Sequence, residues 1–264
     1  MSSVWKKKAA AYWVYFGKGL VEHAHINEGA NVLDIGFGRG TSLIPASLKV
    51  GKDGFVVGID NWVPHVKGMS EVIKKRKFHN TAIINMDAGS MGFKENSFDF
   101  LLSGFAYVFF SLKDAYPLLK TGGKVVLSSW ALEEDSEWMG ELIYSTFPKE
   151  IYTDYEDVDV SEETGHPRVY HKESEDKFGK LIKDAGFQEV KIISEVQRFA
   201  YKDEEEWWEI ISNSGWQSCL KRIEDIGVGT RTKFKQDTFK MLQKYKESNG
   251  IGFKREVLFG IGMK

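Results

Sequence analysis

Short unbroken apolar runs, each closed by an acidic or glycine-rich stretch, alternate in the first half of this chain with segments whose apolar positions recur at helical spacing. Such runs suit strands of a parallel sheet, which helices cover on both faces. Val32-Leu33-Asp34-Ile35, Phe55-Val56-Val57-Gly58-Ile59-Asp60 and Ala82-Ile83-Ile84-Asn85 read as the first three strands, and 96–103 as a loop and a fourth. Pro64 opens a helix after the second strand. Ahead of the first, residues 3–26 place Trp5, Tyr12, Trp13, Phe16 and Leu20 at helical spacing, with a break expected near Gly17. In the second half, 131–175 is rich in acids and aromatics without strand alternation. Residues 176–187 read as a helix stopped by Gly186 in the left-handed conformation, 189–196 as a strand, about 203–246 as helical, and 255–263 as a last strand.

The candidate chemistry lies where the first strand turns into a helix, at Asp34-Ile35-Gly36-Phe37-Gly38-Arg39-Gly40. Glycine tolerates positive φ and lacks the Cβ that keeps a backbone away from a ligand. A dinucleotide loop has the spacing Gly-x-Gly-x-x-Gly/Ala and seats its pyrophosphate on the next helix. Here the third glycine follows Gly38 by two, and Thr41 stands where that motif wants Gly or Ala. Asp34 would repel a pyrophosphate and attract an ammonium or sulfonium instead. Asp60, at the tip of the second strand, can accept from a ribose diol; the alternative is that Asp60 or Asn61 caps the following helix. Trp62, two places on, is a candidate surface for an adenine face.

These segments resemble the class I S-adenosylmethionine-dependent methyltransferases. The first motif of that family reads apolar, acidic, x, Gly, x, Gly, x, Gly, and the match here includes Asp34, Gly36, Phe37, Gly38 and Gly40. The resemblance continues through Asp60 and Asn61. It implies that Asp87, flanked by Met86 and Ala88, meets the adenine, and that Ser103 and Phe105 lie near the methionine end. It reads 118–128 as a helix end, a Gly122-Gly123 turn and a fifth strand, and leaves Asp99 structural. The implied fold is α/β: a doubly wound, seven-stranded, mostly parallel Rossmann-like sheet in the order 3-2-1-4-5-7-6. One domain would span 1–264, with an N-terminal helical lid at 1–26 and cap insertions at 131–175 and 203–250. The implied function is methyl transfer to an O, C or N of a small, hydrophobic or aromatic acceptor. The plan is similar to the branch typified by ubiquinone and menaquinone biosynthesis methyltransferases.

Composition narrows the partners. The chain has 36 basic and 38 acidic side chains, a net charge of −2, so no general attraction to nucleic acid is expected. The single Cys219 leaves no intramolecular disulfide, which fits a reducing cytoplasm. No run approaches a membrane span, and no metal site is expected. Aromatic residues make up 14% of the chain, and Trp130, Trp138, Trp207, Trp208 and Trp216 in or beside the caps are candidates for a closed acceptor pocket, or for simple core packing. His166 is a candidate base for a hydroxyl acceptor. The resemblance also places a tyrosine of the N-terminal segment, Tyr12 or Tyr15, near the methionine end, and Tyr12 is the second catalytic candidate. A nicotinamide-dependent oxidoreductase, disfavoured by Asp34 and Thr41, and a methyltransferase-like binding protein without turnover are the competing functions.

Overall fold

Asn31–Ile35 (β1), Phe55–Asp60 (β2), Thr81–Asn85 (β3), Phe98–Gly104 (β4) and Leu119–Glu133 (β5) are joined later in the chain by Gln188–Tyr201 (β6), Lys246–Glu247 (β7) and Gly250–Met263 (β8). The computed structural model describes residues 11–148, 151, 173–213 and 216–264. The strands line up as β3-β2-β1-β4-β5-β8-β6, with β7 pairing β8 off this path. This is the expected order, the final strand counting as β8 because the two-residue β7 forms a hairpin with it. β1 pairs in parallel with β2 on one side and β4 on the other, so the strand order reverses between β1 and β4. Ligands of open α/β sheets bind outside the carboxyl ends of the strands at such a switch point.

The helices are Ala11–Ala24 (α1), Leu43–Lys49 (α2), Val63–Arg76 (α3), Leu112–Ala115 (α4), Glu134–Thr146 (α5), Glu175–Asp184 (α6), Glu204–Ser212 (α7), Gln217–Asp225 (α8) and Thr230–Leu242 (α9). The chain divides into two compact units. The described residues of 1–130, 173–195 and 257–264 form the first, and those of 131–172 and 196–256 the second.

In the first unit the expected apolar runs are the sheet core: Val32, Leu33, Ile35, Val56, Ile59 and Leu102 are all buried. Each such side chain contributes about 1.5–3 kcal/mol by leaving water. Helix α1 runs through Gly17 without the expected break. A Cβ at Gly17 would lie 2.5 Å from Thr41 Oγ1, so glycine there serves close approach to the loop after β1. Helix α3 stops where Lys77 turns left-handed and donates its N–H to the carbonyls of Ile73 and Lys74, with Lys74, Lys75 and Arg76 favouring the carboxyl end of the helix dipole. Ser174 caps α6 by accepting from the Lys177 N–H, and Gly186 ends it at φ 102°. Asp99 is structural, as expected: its carboxylate accepts from the Asn31 N–H at 2.8 Å and from Lys120 Nζ at 2.9 Å. The fifth strand begins at Leu119 rather than after the glycine pair, because Gly122 N–H donates to Lys264 O and Lys264 N–H to Gly123 O.

In the second unit Trp138, Trp207, Trp208 and Trp216 are buried in one core with Phe234 and Phe253. Four of the five tryptophans considered for an acceptor pocket thus pack this unit's own interior. At its centre Arg255 is 1% exposed and donates to Asp135, itself fully buried, at 2.7 Å, and to Glu133. Tyr201 Oη and Trp207 Nε1 also donate to Asp135, at 3.3 and 3.2 Å. Burial pushes the Glu133 carboxyl up to about 7; the Arg255 charge opposes this, and the Asp135 charge adds to it.

Candidate functional site

The loop after β1 is shaped by its three glycines, and each has a different reason. Gly36, at φ 74°, has Ala106 Cβ 2.5 Å from where its own Cβ would be, and Gly40, at φ 76°, leaves no room beside Met69. These two glycines serve packing. Gly38, at φ 53°, has room for a Cβ, which would meet His65 Cε1 at 3.8 Å and Gly36 O at 3.9 Å in ordinary van der Waals contact. Only Gly38 of the three therefore leaves room beside its backbone. Phe37 is 2% exposed, its ring against Gly58 and its N–H donating to Ile59 O, so its side chain is packed into the sheet.

Asp34 sits on β1 in register with Gly58 and Leu102 and is fully buried. Ser42 Oγ donates to its Oδ2 at 2.7 Å, which ties the first strand to the start of α2, while Oδ1 has no hydrogen-bond partner. Burial pushes the Asp34 carboxyl from 3.8 up to about 7; the Ser42 hydrogen bond pulls it down and the neighbouring Asp60 charge raises it. Asp34 is thus a buried carboxyl with one oxygen in need of a donor, rather than the exposed charge expected.

Asp60 behaves in the opposite way. Burial alone would raise its carboxyl, but hydrogen bonds from His65, the Trp62 N–H and the Gly38 N–H outweigh that and hold it below the ordinary carboxylate range. The Gly38 N–H reaches Oδ2 at 2.9 Å and the Trp62 N–H reaches Oδ1 at 2.9 Å. Asp60 is not the cap of α3; Trp62 occupies that position without a side-chain cap bond. Asn61 is exposed. Asn85, in register with Asp60, donates from Nδ2 to the Asp60 carbonyl and ties the tip of β3 to that of β2. Asp87 is exposed just beyond, its Oδ1 accepting from the Gly89 N–H, and Ala88 is half-buried beside it.

At the tip of β4, Ser103 is fully buried and donates from Oγ to Ile35 O at 3.1 Å. That hydroxyl links the tip of β4 to the tip of β1. Phe105 adopts φ 59°, a strained conformation for an aromatic residue, of the kind found at functional sites. Its ring stacks on Trp130 with centroids 4.1 Å apart and meets the edge of Trp13 at 5.0 Å. Trp13 and Trp130 are themselves 5.3 Å apart, and Tyr12, 3% exposed, lies 5.8 Å from Trp130. Helix α1, β4 and β5 thus bring one aromatic cluster together, with Trp13, Phe105 and Trp130 half-buried. Tyr15 is 45% exposed and makes its ring contact with Phe16. His166 lies outside the described residues.

Two residues escaped the reading of the sequence. Trp13 was taken only as part of a helical stripe. His65, five places after Asp60, stands in the first turn of α3 with Nδ1 3.3 Å from Asp60 Oδ2. A histidine in the first turn after an acidic strand tip was the available signal, since helical side chains lean toward their own N-terminus. Among the described residues no cluster of His, Cys, Asp and Glu could hold a metal ion, and no helix is long and apolar enough to cross a membrane.

Residues 26–186 match the model of a family described as a methyltransferase domain. Aklanonic acid methyltransferase DauC of Streptomyces sp. (strain C5) is 32% identical over 135 residues, 48% of this chain and 60% of that protein. Demethylmenaquinone methyltransferase of Listeria welshimeri is 26% identical over 205 residues, 74% of this chain and 84% of that one. The solved structure of Haemonchus contortus phosphoethanolamine N-methyltransferase 2 in complex with S-adenosyl-L-methionine is similar with a TM-score of 0.54 at 17% identity, covering 95% of this chain and 52% of that one; at that identity the likeness is one of fold. The family match covers more than half of the sequence, with the strand order and glycine loop in their expected places, and the chain belongs to the methyltransferase domain family.

Proposed function

We propose that this chain is an S-adenosylmethionine-dependent methyltransferase acting on an O, C or N atom of a small, hydrophobic or aromatic molecule. The observation that carries the reading is the pairing of Gly38 with Asp60: a glycine with room beside its backbone, next to a carboxylate held ionised by two backbone N–H groups and His65. An ionised carboxylate at a strand tip suits ribose hydroxyls, and Gly38 leaves space for a nucleoside against the backbone. The buried Asp34 Oδ1 lacks a donor, which the ammonium or a hydroxyl of such a cofactor can supply.

When bound, S-adenosylmethionine supplies a methyl group already activated on a cationic sulfur. The chain's part is to position and to exclude water, because an in-line displacement gains most from alignment of the reacting atoms. Trp13, Phe105 and Trp130 offer aromatic faces at the carboxyl edge of the sheet, each contributing about 0.5–2 kcal/mol toward a cation in contact. The same faces suit a flat acceptor of quinone or phenolic type, and the relatives named for aklanonic acid and demethylmenaquinone support that choice. For a hydroxyl acceptor, His166 and Tyr12 are the proposed proton acceptors. As the chain's one cysteine, the buried Cys219 can form no intramolecular disulfide, which suits the cytoplasm.

The test is incubation of the full chain with methyl-labelled S-adenosylmethionine and a panel of quinols, phenols and amines, alongside calorimetric titration with S-adenosylhomocysteine and NAD. Label transfer to one acceptor, with micromolar binding of the product and none of NAD, is the expected result. Binding of NAD alone overturns the reading.

A further inference from the structure

We propose that Ser128 is an acceptor-binding residue whose hydroxyl takes a neutral oxygen, a hydroxyl or a carbonyl, of the methyl acceptor; this rests on the reading of the site as one for S-adenosylmethionine. Among the described residues of the first unit, the buried side-chain oxygens with no hydrogen-bond partner are Asp34 Oδ1 and Ser128 Oγ. A buried polar group in that state calls for a reason, and the cofactor supplies one for Asp34 alone.

Register puts the two on one face of the sheet. Asp34 on β1 is opposite Leu102 on β4, which is opposite Val126 on β5, and two residues further along Gly104 is opposite Ser128. Residues two apart in a strand share a face, so Ser128 stands on the Asp34 side, two strands over, roughly 10 Å away and nearer the carboxyl edge. The proposed cofactor runs along that edge from Asp87 and Asp60 to Asp34. The next strands, β4 and β5, carry the Phe105 and Trp130 rings that suit a flat acceptor. Trp130 is two residues past Ser128, and the Phe105 N–H donates to Ser128 O at 3.2 Å, so the hydroxyl and the rings form one corner. Gly104, half-buried, has no side chain to cover that hydroxyl. The space its Cβ would fill is bordered by Leu20 Cδ2 at 3.7 Å and Ser128 Oγ at 3.9 Å, ordinary contact distances that leave room for one small group. An acceptor oxygen standing about 1 Å nearer the hydroxyl than that Cβ is hydrogen-bonded to it. A neutral oxygen suits the place, because Ser128 is fully buried and a charged group would exchange its water for a single neutral partner.

The experiment titrates the full chain, saturated with S-adenosylhomocysteine, with 1-naphthol and with naphthalene, flat probes that differ by one hydroxyl. Wild type should bind 1-naphthol roughly tenfold more tightly, the worth of one hydrogen bond to a buried partner. Ser128→Ala should bind 1-naphthol no better than naphthalene, hold S-adenosylhomocysteine as wild type does, and melt no lower, since it removes a hydroxyl without a partner. Gly104→Ala should fold and hold S-adenosylhomocysteine but bind 1-naphthol at least tenfold more weakly, its methyl group filling the space. A Ser128→Ala protein that keeps the preference for 1-naphthol overturns the inference, as does a Gly104→Ala protein that binds 1-naphthol normally. A wild type that holds S-adenosylhomocysteine and shows no preference also overturns it. So does a folded Ser128→Ala protein that has lost S-adenosylhomocysteine, because the hydroxyl would then belong to the cofactor. Failure of the wild type to bind S-adenosylhomocysteine at all would instead remove the cofactor reading beneath it.

Discussion

Asp34→Asn should flatten the dependence of stability on pH. In the folded chain the Asp34 carboxyl titrates near 7, against 3.8 when unperturbed, because it is fully buried and its Oδ1 has no donor. A carboxyl that holds its proton more tightly when folded contributes stability that is complete below about pH 3.8 and is lost as pH rises to about 7. The gap between the two values corresponds to roughly 4 kcal/mol, of which roughly 3 falls between pH 5 and pH 8. Asparagine has the shape of the protonated acid, keeps an oxygen for Ser42 Oγ and does not ionise. Urea unfolding at about pH 5 and pH 8 should therefore show wild type losing roughly 3 kcal/mol more than Asp34→Asn. With a urea slope of about 3 kcal/mol/M, that is a midpoint difference of about 1 M. Glu133, also raised to about 7, is common to both proteins and cancels in the comparison. Parallel pH profiles would refute the reasoning, and with it the claim that the first strand carries a buried acid short of a donor.

The site and the second unit yield three further tests. Asp60→Ala should cost cofactor affinity of roughly tenfold or more by calorimetry, since a hydrogen bond to a charged group is worth about 1.5–3 kcal/mol; unchanged affinity would remove Asp60 from the site. Gly38→Ala places a Cβ in ordinary van der Waals contact at φ 53°, with a strain of about 1–2 kcal/mol. The fold should survive a drop of a few degrees in melting temperature while cofactor binding is lost, and normal binding would mean the loop does not approach the ligand. Arg255→Ala strands Asp135 without its cation in a buried core and should cost about 3–5 kcal/mol. Trp138, Trp207, Trp208 and Trp216 report that core, so the loss should appear as an earlier denaturant transition in tryptophan fluorescence, and an unmoved transition would show that the pair is dispensable.

Much of the fold was legible because parallel strands carry their signal locally. Apolar runs ending at Ile35, Asp60 and Asn85 became β1, β2 and β3, with Ile35 opposite Ile59 and Asp60 opposite Asn85. Asp34 could be named as a candidate for the same reason, since a strand end followed by alternating glycines states its geometry within a few residues. The cap tryptophans stayed open between two readings because an aromatic residue reads alike whether it lines a pocket or fills a core. Trp207, fully buried, and Trp130, half-buried against Phe105, differ only in their three-dimensional neighbours.

From sequence alone came the apolar strand runs and the glycine loop, properties of periodicity and short-range spacing, and from the family resemblance those motifs carry came the strand order. Tertiary structure decided what those residues do. It separated Gly38, with room for a Cβ, from Gly36 and Gly40, where a Cβ would run into Ala106 or the end of the Met69 side chain. It gave two neighbouring acids opposite characters, Asp34 raised toward neutrality and Asp60 held ionised, and it set His65 against Asp60 and Trp13 against Phe105. Burial, hydrogen-bond supply and close approach are sums over atoms distant in the chain, so no window of sequence contains them.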